Sequence, residues 1–237
     1  MGQELGFLKI KANVAGDVTS QSIMKKKRVK RSLIMTNPNA KEQYKILLKA
    51  SLTLTSFLFI GLVFIGIFKW GEMFPFIASL FIPNKISILS AVLIGLISSL
   101  FITPIVLITF IKTRTELPKT EGSDMIKKIM IRPSGIAVSA IGGGVFEEFF
   151  FRGVLIGLFI GYSIIVDWLV ILVSTFLFWV IHVPQYKGAT GILTGVFVNG
   201  LIFALLFYFT GSLIPPMLAH GIYNTSIGII LAKKYKK

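Results

Sequence analysis

Long apolar runs separated by short basic segments organise this chain of 237 residues. The runs lie at about 50–68, 86–111, 135–162, from Asp167 to near His182, at 189–209 and at 217–232. Most reach the roughly 20 residues that an α-helix needs to cross about 30 Å of hydrocarbon. The pattern predicts an all-α fold, a polytopic integral membrane helix bundle of about six transmembrane helices. The Phe- and Pro-rich loop 69–85 has room for an extra half-helix, and Met125–Ile131 (MIKKIMI) fits a short amphipathic helix lying at the interface. Pro184 is expected to stop the fourth span. The chain thus divides into a basic tail (1–49), two N-terminal transmembrane helices (50–111), a basic loop (112–134), a four-helix core (135–232) and a basic C-terminal tail (233–237).

Charge orients this bundle. Only 15% of the residues are charged, yet the net charge is +15. Eleven bases precede the first span, six lie in 112–134, one follows the fourth span and four end the chain, whereas the opposite loops hold only Lys69 and Lys85. By the positive-inside rule this predicts an even number of spans with both termini cytoplasmic in the cell membrane, and the cluster Lys25, Lys26, Lys27, Arg28, Lys30 and Arg31 faces anionic lipid. Bases arranged in this way form no recognition surface, which argues against nucleic acid as a partner. Cysteine is absent, so disulfides, a cysteine nucleophile and thiolate metal sites are excluded. The first residues lack a secretory signal pattern, and Met35 opens a second plausible start.

Against this apolar background one stretch stands out, Gly142–Arg152 (GGGVFEEFFFR). An ionisable side chain at the centre of a membrane helix costs roughly 2.5–3.5 kcal/mol, so such residues pair, face a wet interior and mark function. On a helix Glu148 and Arg152 are i,i+4 and can pair, whereas Glu147 is rotated by about 100° and remains available for chemistry. The alternative is a buried structural cluster in which both acids share the arginine. The only two histidines, His182 and His220, fall in separate apolar helices; His182 follows Phe178 by four residues and His220 precedes Asn224 by four. Either can be a packing residue, but together with a free carboxylate they favour a site. A carboxylate and a neutral imidazole can hold and deprotonate a water, while a second imidazole and a carboxamide can donate to an oxyanion. Glu147, Glu148, His182 and His220 also form a reasonable N/O ligand set for zinc, although no HExxH pair is present. Glycines at 153, 157 and 161, and at 191 and 195 followed by Asn199, read as ridges for close helix packing, with Asn199 either interhelical glue or the border of a site.

In order, Glu147-Glu148-x-x-x-Arg152, Phe178-x-x-x-His182 and His220-x-x-x-Asn224 resemble the type II CAAX prenyl protease and bacteriocin-processing (CPBP, or Abi) family of intramembrane proteases, over about 135–232. The resemblance implies that Glu147 is the general base acting on water together with His182. It also implies that His220 and Asn224 stabilise the oxyanion, and that Glu148, Arg152 and Phe178 shape the site and orient a membrane-associated peptide or protein substrate. The family carries both a metalloprotease label, with Glu147, His182 and His220 as the ligands here, and a metal-free glutamate mechanism. The hydrogen-bonding roles need no ion, which favours the latter. Few spans precede the motifs, which is more similar to bacterial members, whose roles include peptide maturation and bacteriocin immunity. Two other readings stay open: a non-catalytic immunity or scaffold protein with the same fold, and a proton-coupled transporter. The absence of repeats between the two halves counts against the transporter.

Overall fold

The computed structural model describes residues 38–83, 85–112 and 116–235; the basic cluster Lys25–Arg31 and the alternative start at Met35 lie outside the described residues. Two compact units divide at Lys45, and the candidate site lies wholly within the second, Ile46–Lys237. Of the first unit, residues 38–45 are helical.

Among the described residues all regular structure is helical. The helices are α1 (Pro38–Phe68), α2 (Met73–Phe81, preceded by the 3₁₀ turn Trp70–Glu72), α3 (Ile88–Lys112), α4 (Glu121–Met130), α5 (Pro133–Ile141), α6 (Ile164–Tyr186), α7 (Thr190–Thr210) and α8 (Ile214–Tyr235). Five stretches are long and apolar enough to cross a membrane: Ala40–Phe68, Ile88–Ile105, Pro133–Val154, Ile164–Tyr186 and Thr190–Thr210. The remaining long helix, α8, carries His220, Asn224, Thr225 and Ser226, and it packs against α3, α4, α5 and α7. The protein is therefore an all-α, multi-pass membrane bundle of about six spans, in which this polar long helix packs against four others. Phe59, Ile67, Leu93, Leu100, Leu169 and Leu172 are exposed on α1, α3 and α6. An apolar exterior of this extent suits lipid rather than water.

The span carrying the acidic motif departs from a regular α-helix. After Ile141 the chain continues as π-helix over Gly142–Glu147 and Phe149–Val154. Bonds from the Leu155 N–H to the Phe150 carbonyl and from the Gly157 N–H to the Arg152 carbonyl, each 3.0 Å, skip five residues instead of four. The expected helix to Tyr162 instead ends near Val154, and turns occupy 155–162. Gly161, expected on a packing ridge, adopts φ +93°, and its N–H donates to Asp167 Oδ1 at 2.7 Å. It is a turn residue in a left-handed conformation that glycine tolerates.

Pro184 does not stop the fourth span. α6 runs through it to Tyr186, and the carbonyl of Gln185 accepts bonds from Thr120 Oγ1 and Ser123 Oγ at the start of α4. Side-chain hydroxyls thus satisfy a carbonyl of the last turn, which a helix end otherwise leaves without a partner. The same economy docks α2: the carbonyls of Leu80 and Phe81 accept from the Leu213 N–H (2.8 Å) and from Ser212 Oγ (3.3 Å). Buried Phe149, Val154, Ile171, Phe207 and Leu213 form the main apolar core beneath the π segment.

Candidate active site

Two successive glutamates meet different surroundings. Glu148 is fully buried, and its Oε1 accepts from Arg152 Nη1 at 3.0 Å and from His220 Nδ1 at 2.7 Å. Arg152, also fully buried, donates from Nη2 to the carbonyl of Gly200 at 2.7 Å. Its guanidinium lies 4.5 Å from the Phe178 ring centroid and 5.7 Å from that of Phe203. Charge pairing, a carbonyl and aromatic faces together offset the cost of taking the cation out of water. Glu147 instead lines a cavity of about 1120 Å³.

That cavity is bordered also by His182, His220 and Asn224, so the four residues expected to carry chemistry share one space although they come from the π segment, α6 and α8. Its other walls are largely apolar, including Leu54, Phe57, Ile102, Ile181 and Ile202. Glu148, Arg152 and Phe178 do not line it; they stand behind it.

Hydrogen-bond partners fix the two imidazoles. His182 Nδ1 lies 2.7 Å from the Phe178 carbonyl, which can only accept, so Nδ1 carries the proton and Nε2 of the neutral ring presents a lone pair. His220 Nδ1 donates to Glu148, so its Nε2 accepts in the neutral ring and donates in the imidazolium. Asn224 Nδ2 gives one hydrogen to the Ser139 carbonyl at 3.1 Å and retains a second. A Cβ on Gly143 would collide with Asn224 Nδ2 and stand 3.0 Å from His220 Nε2. Both nitrogens therefore converge beside Gly143, and only glycine permits it. Gly144 likewise lets the π segment approach α8, since a Cβ there would meet the Gly221 backbone at 2.9 Å.

Aromatic rings lock these positions. Phe178 contacts the rings of His182 (4.7 Å) and His220 (5.9 Å), and Phe203 stacks on His220 at 4.9 Å and 18°. The expected i,i+4 pair Glu148–Arg152 is formed. The role of Phe203 and the Gly200 carbonyl carried no sequence signal, because an apolar helix offers many equivalent phenylalanines and glycines. The triple glycine 142–144 did offer one: small residues beside charged ones mark a close helix approach.

Among the described residues no group of three His, Cys, Asp or Glu side chains comes together as a metal site. The arrangement thus does not present Glu147, His182 and His220 as a ligand cage. A second ridge also differs from expectation: a Cβ on Gly191 or Gly195 would have nothing within 4 Å, and both residues line the cavity instead of a helix contact.

Residues 132–226 match the family model of type II CAAX prenyl endopeptidase Rce1-like proteins. The motif-bearing core is similar to this Rce1-like family. No curated protein and no solved structure matches the chain. The Rce1-like match begins one residue before α5 and ends within α8, so it takes in all three motifs and omits α1 and α3. It is the family that the motifs resemble, and a family of proteases.

Proposed function

We propose that the protein is an intramembrane endopeptidase that hydrolyses a peptide bond in a membrane-associated peptide or protein. The observation that carries this reading is the shared cavity: two hydrogen-bond acceptors, the Glu147 carboxylate and His182 Nε2, border the same space as two groups able to donate, Asn224 Nδ2 and His220 Nε2. A water offers two hydrogens, which suits the two acceptors. Glu147 takes a proton from that water as its oxygen adds to the scissile carbonyl carbon. The resulting oxyanion accepts from Asn224 Nδ2 and from His220 Nε2 when that ring carries both protons. The tetrahedral centre then expels the amine, which receives the proton held by Glu147. Glu148, Arg152 and Phe178 hold His220 and His182 in place.

Each of these steps uses the chain's own residues. Apolar walls fit a substrate drawn from the bilayer, and the base distribution supports cytoplasmic termini beside anionic lipid in a bacterial-type membrane.

The test is cleavage of a panel of membrane-anchored peptides by purified, reconstituted protein, with Glu147→Ala and His182→Ala compared to wild type and a zinc chelator in parallel. Cleavage lost in both variants and kept with chelator is expected. Retained activity in both variants rejects the reading, and loss with chelator transfers the water to a metal.

A further inference from the structure

α7 turns one face to the cavity, and the composition of that face is unusual for a membrane helix. Gly191, Gly195 and Asn199 recur every four residues, so they line up over about 12 Å of axis. All three border the cavity, and neither glycine has a neighbour that a Cβ would touch. A small-residue stripe in a bundle ordinarily receives another helix. This one receives none among the described residues.

Asn199 adds a second and independent observation. Its residue is only 5% exposed, it borders the cavity, and its carboxamide has no hydrogen-bond partner among the described residues. Its amide atoms stay accessible from the cavity, so a ligand that enters there can supply the partners that the fold does not. Its position is also fixed: the next residue, Gly200, gives its carbonyl to Arg152, tying this turn of α7 to the Glu148–Arg152–His220 cluster.

A carboxamide offers one acceptor and two donors, the complement of a backbone peptide unit with its N–H and C=O. Bare glycine surface next to it lets a second backbone approach closely, as no side chain intervenes. About 12 Å of helix axis matches three to four residues of extended chain. We propose that Asn199, with the Gly191–Gly195 face, is a substrate-positioning site that binds the backbone of an extended, non-helical peptide segment leading to the cleavage centre. This rests on the endopeptidase reading and adds to it the conformation of the substrate: a helix has its backbone groups already paired and cannot satisfy Asn199.

Binding and cleavage separate the two claims. Fluorescently labelled, membrane-anchored peptides with an extended juxtamembrane segment are titrated onto the full-length protein in lipid nanodiscs, and their cleavage is followed alongside. Each peptide is compared with versions N-methylated at successive backbone amides, on wild type, Asn199→Ala and Gly195→Leu. Expected are about tenfold weaker binding in Asn199→Ala, a stronger loss in Gly195→Leu, and one amide whose methylation weakens wild type about tenfold but leaves Asn199→Ala unchanged. That coupling is a readout that general misfolding does not produce. Equal methylation penalties in wild type and Asn199→Ala overturn the proposal while cleavage that depends on Glu147 persists. Binding with the expected coupling but without cleavage retains the positioning site and removes the protease. A wild type that binds no peptide overturns both.

Discussion

Glu147 borders a cavity of about 1120 Å³, whereas Glu148, the next residue, is sealed from it and accepts from both Arg152 and His220. The same carboxylate, displaced by one position on a helix, has exchanged a cavity wall for a buried ion cluster. The difference teaches how a membrane bundle can keep an acid at a cavity: a second acid pairs with the local cation and fixes the imidazole, leaving the first with no hydrogen bond or ion pair to another side chain among the described residues.

The largest expected effect breaks the reactive side. Glu147→Gln keeps the shape and removes the base, so cleavage should fall by roughly 10²–10⁴-fold, the usual contribution of a general base. Thermal unfolding in detergent should be unchanged. A parallel fall in melting temperature would assign Glu147 to the framework as well.

Arg152→Ala attacks the other side. It leaves Glu148 as an uncompensated buried charge, and loss of one member of a buried pair costs about 3–5 kcal/mol. The expected result is a strongly lowered melting temperature, with activity falling through lost protein. Removing both charges, Glu148→Gln with Arg152→Met, should recover part of that stability, because a buried pair is often replaceable by apolar packing. If the double variant melts no higher than the single one, the cluster is not a self-contained ion pair.

Gly143→Ala sharpens the link between the two. Its methyl would meet Asn224 Nδ2 and crowd His220 Nε2, the two nitrogens that converge there. Displacing an oxyanion donor costs about 10²–10³-fold in kcat. The change is expected in kcat more than in KM, which steady-state kinetics on one peptide would separate.

Much of this comparison was legible in the chain. The i,i+4 spacing anticipates Glu148 with Arg152, since it places side chains on one helix face whatever the surroundings. The bond from Arg152 Nη1 to Glu148 realises it. What the chain did not disclose depends on partners far apart in sequence. π winding at 142–154 was hidden, because the hydrophobic pattern of a fully apolar run is indifferent to its period. Pro184 signals a stop because its missing N–H is a local fact, whereas the hydroxyls of Thr120 and Ser123 that complete the helix end come from another element. Gly191 and Gly195 look like Gly153 in sequence. Only the fold reveals that Gly153 meets Leu80 and Leu213 while the other two face open space.

The smallest expected effect tests whether such glycine contacts govern the frame beneath the site. Gly61 and Gly66 each follow a Phe-Ile pair on α1, five residues apart. A Cβ at Gly61 would stand 3.0 Å from Phe149 Cε1 and 3.1 Å from Val154 Cγ2, two buried side chains of the π segment, so Gly61→Ala forces the segment that carries Glu147 to give by a few tenths of an ångström. At Gly66 nothing lies within 4 Å. Overpacking costs about 1–3 kcal/mol where neighbours cannot yield, while an alanine in an open helical position gains up to about 1 kcal/mol over glycine. Gly61→Ala should therefore melt lower and cleave somewhat more slowly, and Gly66→Ala should melt at or slightly above wild type with unchanged cleavage. Equal melting temperatures for the two variants would mean that α1 yields freely against the π segment, and the position of Glu147 would then rest on the other elements that hold that segment, α8 at Gly143 and Gly144 and α6 through Ser174 among them.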